Sequence, residues 1–127
     1  MYELKVVTRF AAAHQLKMVT EKCENLHGHN WRIEVFVAGP ELDQSGVLVD
    51  FGVIKGYMAE IIDSLDHKFL NELEFFQNAN PSSENIARYI ALSLQSRLTD
   101  HPTVRVSRVS VWESDDACAT FYMPDAA

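Results

Sequence analysis

From Tyr2 to Ala13 apolar and polar positions alternate. Tyr2, Leu4, Val6, Thr8 and Phe10 fall on one face, the two-residue period of a strand with one buried side. The same parity carried past Ala12 sets His14 on that face, provided no bulge intervenes. Residues 15 to 28 read as a loop. A second strand sets Trp31, Ile33, Val35 and Val37 against Arg32, Glu34 and Phe36, and the turn-rich AGPELDQSG ends it. The period then lengthens. In DFGVIKGYMAEIIDSL, Ile54, Tyr57, Met58, Ile61, Ile62 and Leu65 recur at helical spacing behind Asp50, a suitable N-cap. PSSENIARYIALSLQSRL predicts a second helix. Ser82 or Ser83 caps it, Glu84 sits in its first turn, and Ile86, Ile90, Leu94 and Leu98 form its buried stripe. Between the helices, DHKFLNELEFFQNANP has no period and reads as a long, partly apolar connection. TVRVSRVSVWE and CATFYMP are the closing strands, and the alternation lost between Val106 and Val109 predicts a bulge near Ser107. The order is ββααββ. The fold class is α+β, with two helices covering one face of a four-stranded antiparallel sheet.

The 127 residues suit one domain, and 47% apolar content is enough for a core without disulfides. A net charge of −7 argues against nucleic acid and anionic membrane as partners, though not against a small anionic substrate held by a few local cations. The first residues carry charges within their apolar stretch, so they read as neither signal peptide nor anchor, and no apolar run is long enough to span a bilayer. The two cysteines, Cys23 and Cys118, show no framework spacing, and a reducing cytoplasm is the expected location.

The chemistry concentrates in KCENLHGHN. His27 and His29, two apart on an extended segment, point to one face about 6.5–7 Å apart along the chain. Gly28 leaves the opposite face open to a close approach. If the first two strands pair as an antiparallel ribbon, His14 at the end of one lies beside His27 and His29 at the start of the other. Three neutral imidazoles suit zinc and leave a fourth position open, as in catalytic sites. The plain alternative is scattered polar histidines in a loop. Cys23 is either a fourth ligand, closing a structural site, or a free thiol beside the metal. Cys118 is expected to be a buried spectator thiol. Asp66 and His67 could form a proton relay, or merely suit a solvated helix end. Glu113, after Trp112, could accept paired N–H donors from a ligand, or be an exposed strand-end acid.

Together these residues resemble a known family. AAHQL with His14, CENLHGHN with Cys23, His27 and His29, VDF at 49–51, LDHKFLN at 65–71, NPSSENIA at 80–87 and VWES at 111–114 occur in the order seen in the 6-pyruvoyl-tetrahydropterin synthase family. That family includes the 6-carboxy-5,6,7,8-tetrahydropterin synthases of queuosine biosynthesis. The resemblance implies the tunnelling fold, with sheets joined into an oligomeric barrel, two trimers stacked as a homohexamer, and active sites at subunit interfaces. It implies His14, His27 and His29 as ligands to one zinc ion per subunit and Cys23 as general base. Asp66 and His67 become the relay, and Glu113 the anchor for the pterin's guanidine-like edge and a further catalytic member of that relay. The implied substrate is 7,8-dihydroneopterin triphosphate, with Arg9, Lys17, Lys22 and Lys68 as candidate phosphate partners. The alternatives are the 6-pyruvoyl reaction, which leaves the side chain uncleaved, and a non-enzymatic zinc-stabilised assembly module.

Overall fold

The computed structural model describes residues 1–17 and 25–125. The chain runs β1 (Tyr2–His14), β2 (His27–Gly39), α1 (Phe51–Asp63), β3 (Lys68–Phe69), α2 (Ser83–Arg97), β4 (Arg105–Ser114) and β5 (Ala117–Tyr122). The sheet order is β3-β1-β2-β4-β5. β1, β2, β4 and β5 pair antiparallel, and β3 lies parallel to β1 at Ala12 and Ala13. The expected four-stranded antiparallel sheet is therefore a five-stranded mixed one. The extra strand is only two residues long and has no period to read. His67 places it: this residue takes the left-handed region (φ 58°), and its N–H donates to Ala11 O at 2.6 Å. A short polar side chain tolerates that conformation better than a β-branched one.

The alternation of β1 holds to its end. Val6, Phe10, Ala12 and His14 are all buried, on the face that α1 and α2 cover. β2 supplies Trp31, Ile33, Val35 and Val37 to the same core, and starts at His27, four residues before the expected Trp31. Asp50 Oδ1 caps α1 by accepting from Gly52 N at 2.7 Å. Of the two candidate caps on α2, Ser82 is the one used, its hydroxyl accepting from Asn85 N at 3.1 Å. The stripe Ile86, Ile90, Leu94 and Leu98 is buried. Each such side chain contributes about 1.5–3 kcal/mol of burial. Ser107 is the extra residue of the expected bulge, since Phe36 faces Arg108 while Val37 faces Val106. Its hydroxyl donates to Glu3 Oε2 at 2.8 Å.

Among the described residues, no helix packs on the other face of the sheet. Cys118 shares it with Trp112, its register partner, and is exposed rather than the expected buried thiol. Among the described residues no helix is long and apolar enough to cross a membrane.

Candidate metal centre

The β1–β2 register pairs His14 with His27 and Ala12 with His29. Inward parity then sends all three imidazoles to the helix-covered side, at the end of the sheet. A second bulge brings in a fourth group. Trp112 faces Cys118 and Ser114 faces Ala117, which leaves Glu113 unpaired in β4 and aims its carboxylate at the histidines. Glu113 Oε1 lies 2.7 Å from His29 Nε2, 3.5 Å from His14 Nε2 and 3.7 Å from His27 Nε2. One ligand atom from each of His14, His27, His29 and Glu113 falls within 4.8 Å of the others.

The hydrogen bonds decide the tautomers. His14 Nδ1 donates to Pro81 O at 2.7 Å, and His27 Nδ1 donates to Asn25 O at 2.8 Å. A carbonyl only accepts, so each neutral ring carries its proton on Nδ1 and presents a bare lone pair at Nε2. Those two Nε2 atoms face each other at 3.1 Å. Two lone pairs that close repel unless a cation lies between them. The carbonyl partners are the outer contacts that metal-binding histidines use to fix ring orientation. His14 is 1% exposed, and Trp31 packs edge-on against His14 and His29, with ring centroids 5.0 and 5.1 Å apart. Three imidazole nitrogens and one carboxylate oxygen form a donor set that fits zinc.

Asp66 and His67 do not join this group. They form their own pair at the β1 edge, with Asp66 Oδ2 3.0 Å from His67 Nδ1. Asp66 Oδ1 also accepts from Ala11 N at 2.9 Å. That backbone bond first, and His67 second, hold the Asp66 carboxyl below its ordinary value. Cys23 and Lys22 lie outside the described residues. Sequence reasoning missed the carbonyls of Asn25 and Pro81, because a backbone oxygen leaves no mark in a sequence. It also missed that Glu113 sits among the imidazoles. The bulge that puts it there breaks β4 near its end, where too few residues remain to show a change of period.

The model of the 6-pyruvoyl tetrahydropterin synthase family matches residues 3–124. The chain is 36% identical over 107 residues to a dihydroneopterin monophosphate aldolase of Pyrococcus furiosus, covering 84% of this chain and 85% of that one. It is 32% identical over 120 residues to a 6-carboxy-5,6,7,8-tetrahydropterin synthase of Synechocystis, covering 91% and 88%. Among solved structures, the 6-pyruvoyl tetrahydropterin synthase of Caenorhabditis elegans superposes with a TM-score of 0.85 at 26% identity, over 97% of this chain and 96% of that one. Strand register, a converging imidazole set and these likenesses agree: the chain belongs to the 6-pyruvoyl tetrahydropterin synthase family, enzymes of pterin metabolism.

Proposed function

We propose that this chain is a zinc-dependent lyase. It converts 7,8-dihydroneopterin triphosphate and water to 6-carboxy-5,6,7,8-tetrahydropterin, acetaldehyde and triphosphate, as a step of queuosine and 7-deazapurine biosynthesis in the cytoplasm. The observation that carries the reading is the lone-pair convergence of His14 and His27 at 3.1 Å, with His29 and Glu113 completing the cluster. The Synechocystis relative, named for this reaction, supports the choice of product.

His14, His27 and His29 would hold the zinc. When bound, it supplies a Lewis acid that acidifies the hydroxyls and the adjacent carbon-bound hydrogen of the substrate side chain. Cys23 removes a proton from that side chain. Asp66 Oδ2 fixes the proton of His67 on Nδ1, which leaves Nε2 to accept and return protons. His67 is 81% exposed, open to substrate or to a neighbouring subunit. The Glu113 carboxylate, 36% exposed at the mouth of the cluster, accepts the paired N–H donors of the pterin edge. Arg9, Lys17, Lys22 and Lys68 remain candidates for the triphosphate.

The sheet also supports the homohexameric reading. β3 covers β1 only at Ala12 and Ala13, and the outer edge of β5 has no strand beside it among the described residues. Open edges of this kind pair with another chain unless blocked. Tyr2, Leu42, Val47 and Phe51 are exposed around a cavity of about 380 Å³ beside the start of β1, which adds apolar surface for such contacts.

Incubation of the zinc-loaded protein with dihydroneopterin triphosphate tests the reaction. Acetaldehyde with a carboxylated tetrahydropterin, identified by mass, is expected. A pyruvoyl side chain would assign the chain to the 6-pyruvoyl reaction instead. The Pyrococcus relative favours a second reading, an aldolase acting on dihydroneopterin monophosphate. Turnover of the monophosphate with none of the triphosphate would establish that alternative.

A further inference from the structure

We propose that Asn71 and Asn80 are positioning residues, a pair of side-chain amides that fix the chain where it leaves His14 and so set the geometry of the metal centre. The inference rests on the zinc reading of that centre. Among the described residues, the strand pairing of β1 stops here. Its pairing with β2 ends at His14, and β3 reaches only Ala12 and Ala13. Beyond that point side chains replace the missing strand. Asn71 Nδ2 donates to Gln15 O at 2.6 Å, and its Oδ1 accepts from Gln15 N at 2.8 Å. Asn80 repeats the arrangement two residues on. Its Nδ2 donates to Lys17 O at 2.6 Å, and its Oδ1 accepts from Lys17 N at 2.9 Å. Residues 15 and 17 share one side of an extended chain, and each receives the donor–acceptor pair that a strand backbone would give. Only an amide offers both groups in one plane at this length. A carboxylate keeps the acceptor and sets its second oxygen against a carbonyl.

Both amides are themselves held. Asn71 lies two residues past the end of β3, and its carbonyl accepts from Gln77 Nε2 at 3.0 Å. The Asn80 carbonyl accepts from Asn85 Nδ2 at 2.8 Å, in the first turn of α2. Pro81, the next residue, accepts the His14 Nδ1 proton. The stretch 80–81 therefore grips His14 by its ring and by its onward chain, and ties both to the capped end of α2. Among the described residues, the β1–β2 ladder ends at His14. Loss of the amides would loosen the chain where it leaves His14, and with it the aim of the Nε2 lone pair.

The test uses N71D and N80D, which keep size and acceptor but lose the donor, with N80A as a harsher change. V106A is the control, because Val106 is buried against Val37 at the end of β2 remote from His27. Zinc affinity is read by chelator competition, amide exchange at Gln15 and Lys17 by NMR, and kcat apart from KM by turnover. Loss of an outer support of a metal ligand lowers affinity about 10–100-fold, and about 10-fold is expected for each Asp variant. Exchange should quicken at Gln15 in N71D and at Lys17 in N80D, with kcat falling and KM holding. V106A should lower the melting temperature without moving zinc affinity. Wild-type zinc affinity in both Asp variants, or a loss no larger than V106A shows at equal melting temperature, overturns the proposal. A wild-type protein that binds no zinc would sink the zinc reading. The exchange measurement still decides the clamp in that case, and unchanged rates at Gln15 and Lys17 reject it.

Discussion

Two polar clusters sit on opposite faces of the same sheet, and they are built on opposite principles. On the face without helices Glu34, 9% exposed, is closed on itself. Trp112 Nε1 donates to Oε1 at 2.8 Å, Arg32 Nη2 donates to Oε2 at 3.1 Å, and Lys5 Nζ stands 3.6 Å from Oε2. Burial pushes the Glu34 carboxyl up, but the Trp112 bond and the Arg32 and Lys5 charges outweigh it and hold it below its ordinary value. On the helix face, His14, His27, His29 and Glu113 come together without a lysine or arginine among them. The first cluster is complete without a ligand. The second sets the Nε2 lone pairs of His14 and His27 against each other, an arrangement that a cation reconciles. Burial of polar groups is common to both, so it does not mark a site. The balance of donors and acceptors does.

The largest expected effect breaks the open cluster. H27A or H29A should lower zinc affinity by more than about 100-fold, beyond the loss seen for outer supports, measured by chelator competition. Turnover should fall to background, while stability without metal should hold or rise, because a source of repulsion has gone. C23A sharpens the same point, since zinc should stay while turnover falls about 10²–10⁴-fold, the range for a lost proton-transfer group. Metal analysis beside turnover checks it, and loss of zinc would make Cys23 a ligand.

The closed cluster should answer in stability alone. E34A leaves the Trp112 indole N–H without its acceptor and should cost about 1–3 kcal/mol in urea unfolding, with zinc affinity unchanged. The smallest effect is the pH dependence. The folded Glu34 carboxyl titrates below the unfolded one, so its contribution is fully present above the ordinary carboxylate range. It is lost as pH falls through the lower folded value. E34Q should therefore flatten the fall in stability between neutral pH and about pH 3, read by unfolding at each pH.

Where one face of an element is buried over many residues, the sequence was readable. The β1 alternation placed His14, the helical stripe of α2 was legible to Leu98, and the broken period at Ser107 marked its bulge. What stayed hidden depends on partners distant in the chain. β3 exists because His67 turns back onto Ala11, and no local pattern encodes that. The side-chain amides of Asn71 and Asn80 look like ordinary loop residues until Gln15 and Lys17 are seen against them. Cys118 was misjudged because parity tells which face a residue takes, not whether a helix covers that face. At the site, the three histidines were legible from spacing, but the tautomers that make His14 and His27 converge as acceptors came from two backbone carbonyls.

X-ray absorption at the zinc edge of the zinc-loaded protein tests the central claim most directly. The account predicts three nitrogen neighbours at about 2.0–2.1 Å, with any further ligand an oxygen. A sulfur neighbour at about 2.3 Å, or fewer than three imidazole nitrogens, would contradict it.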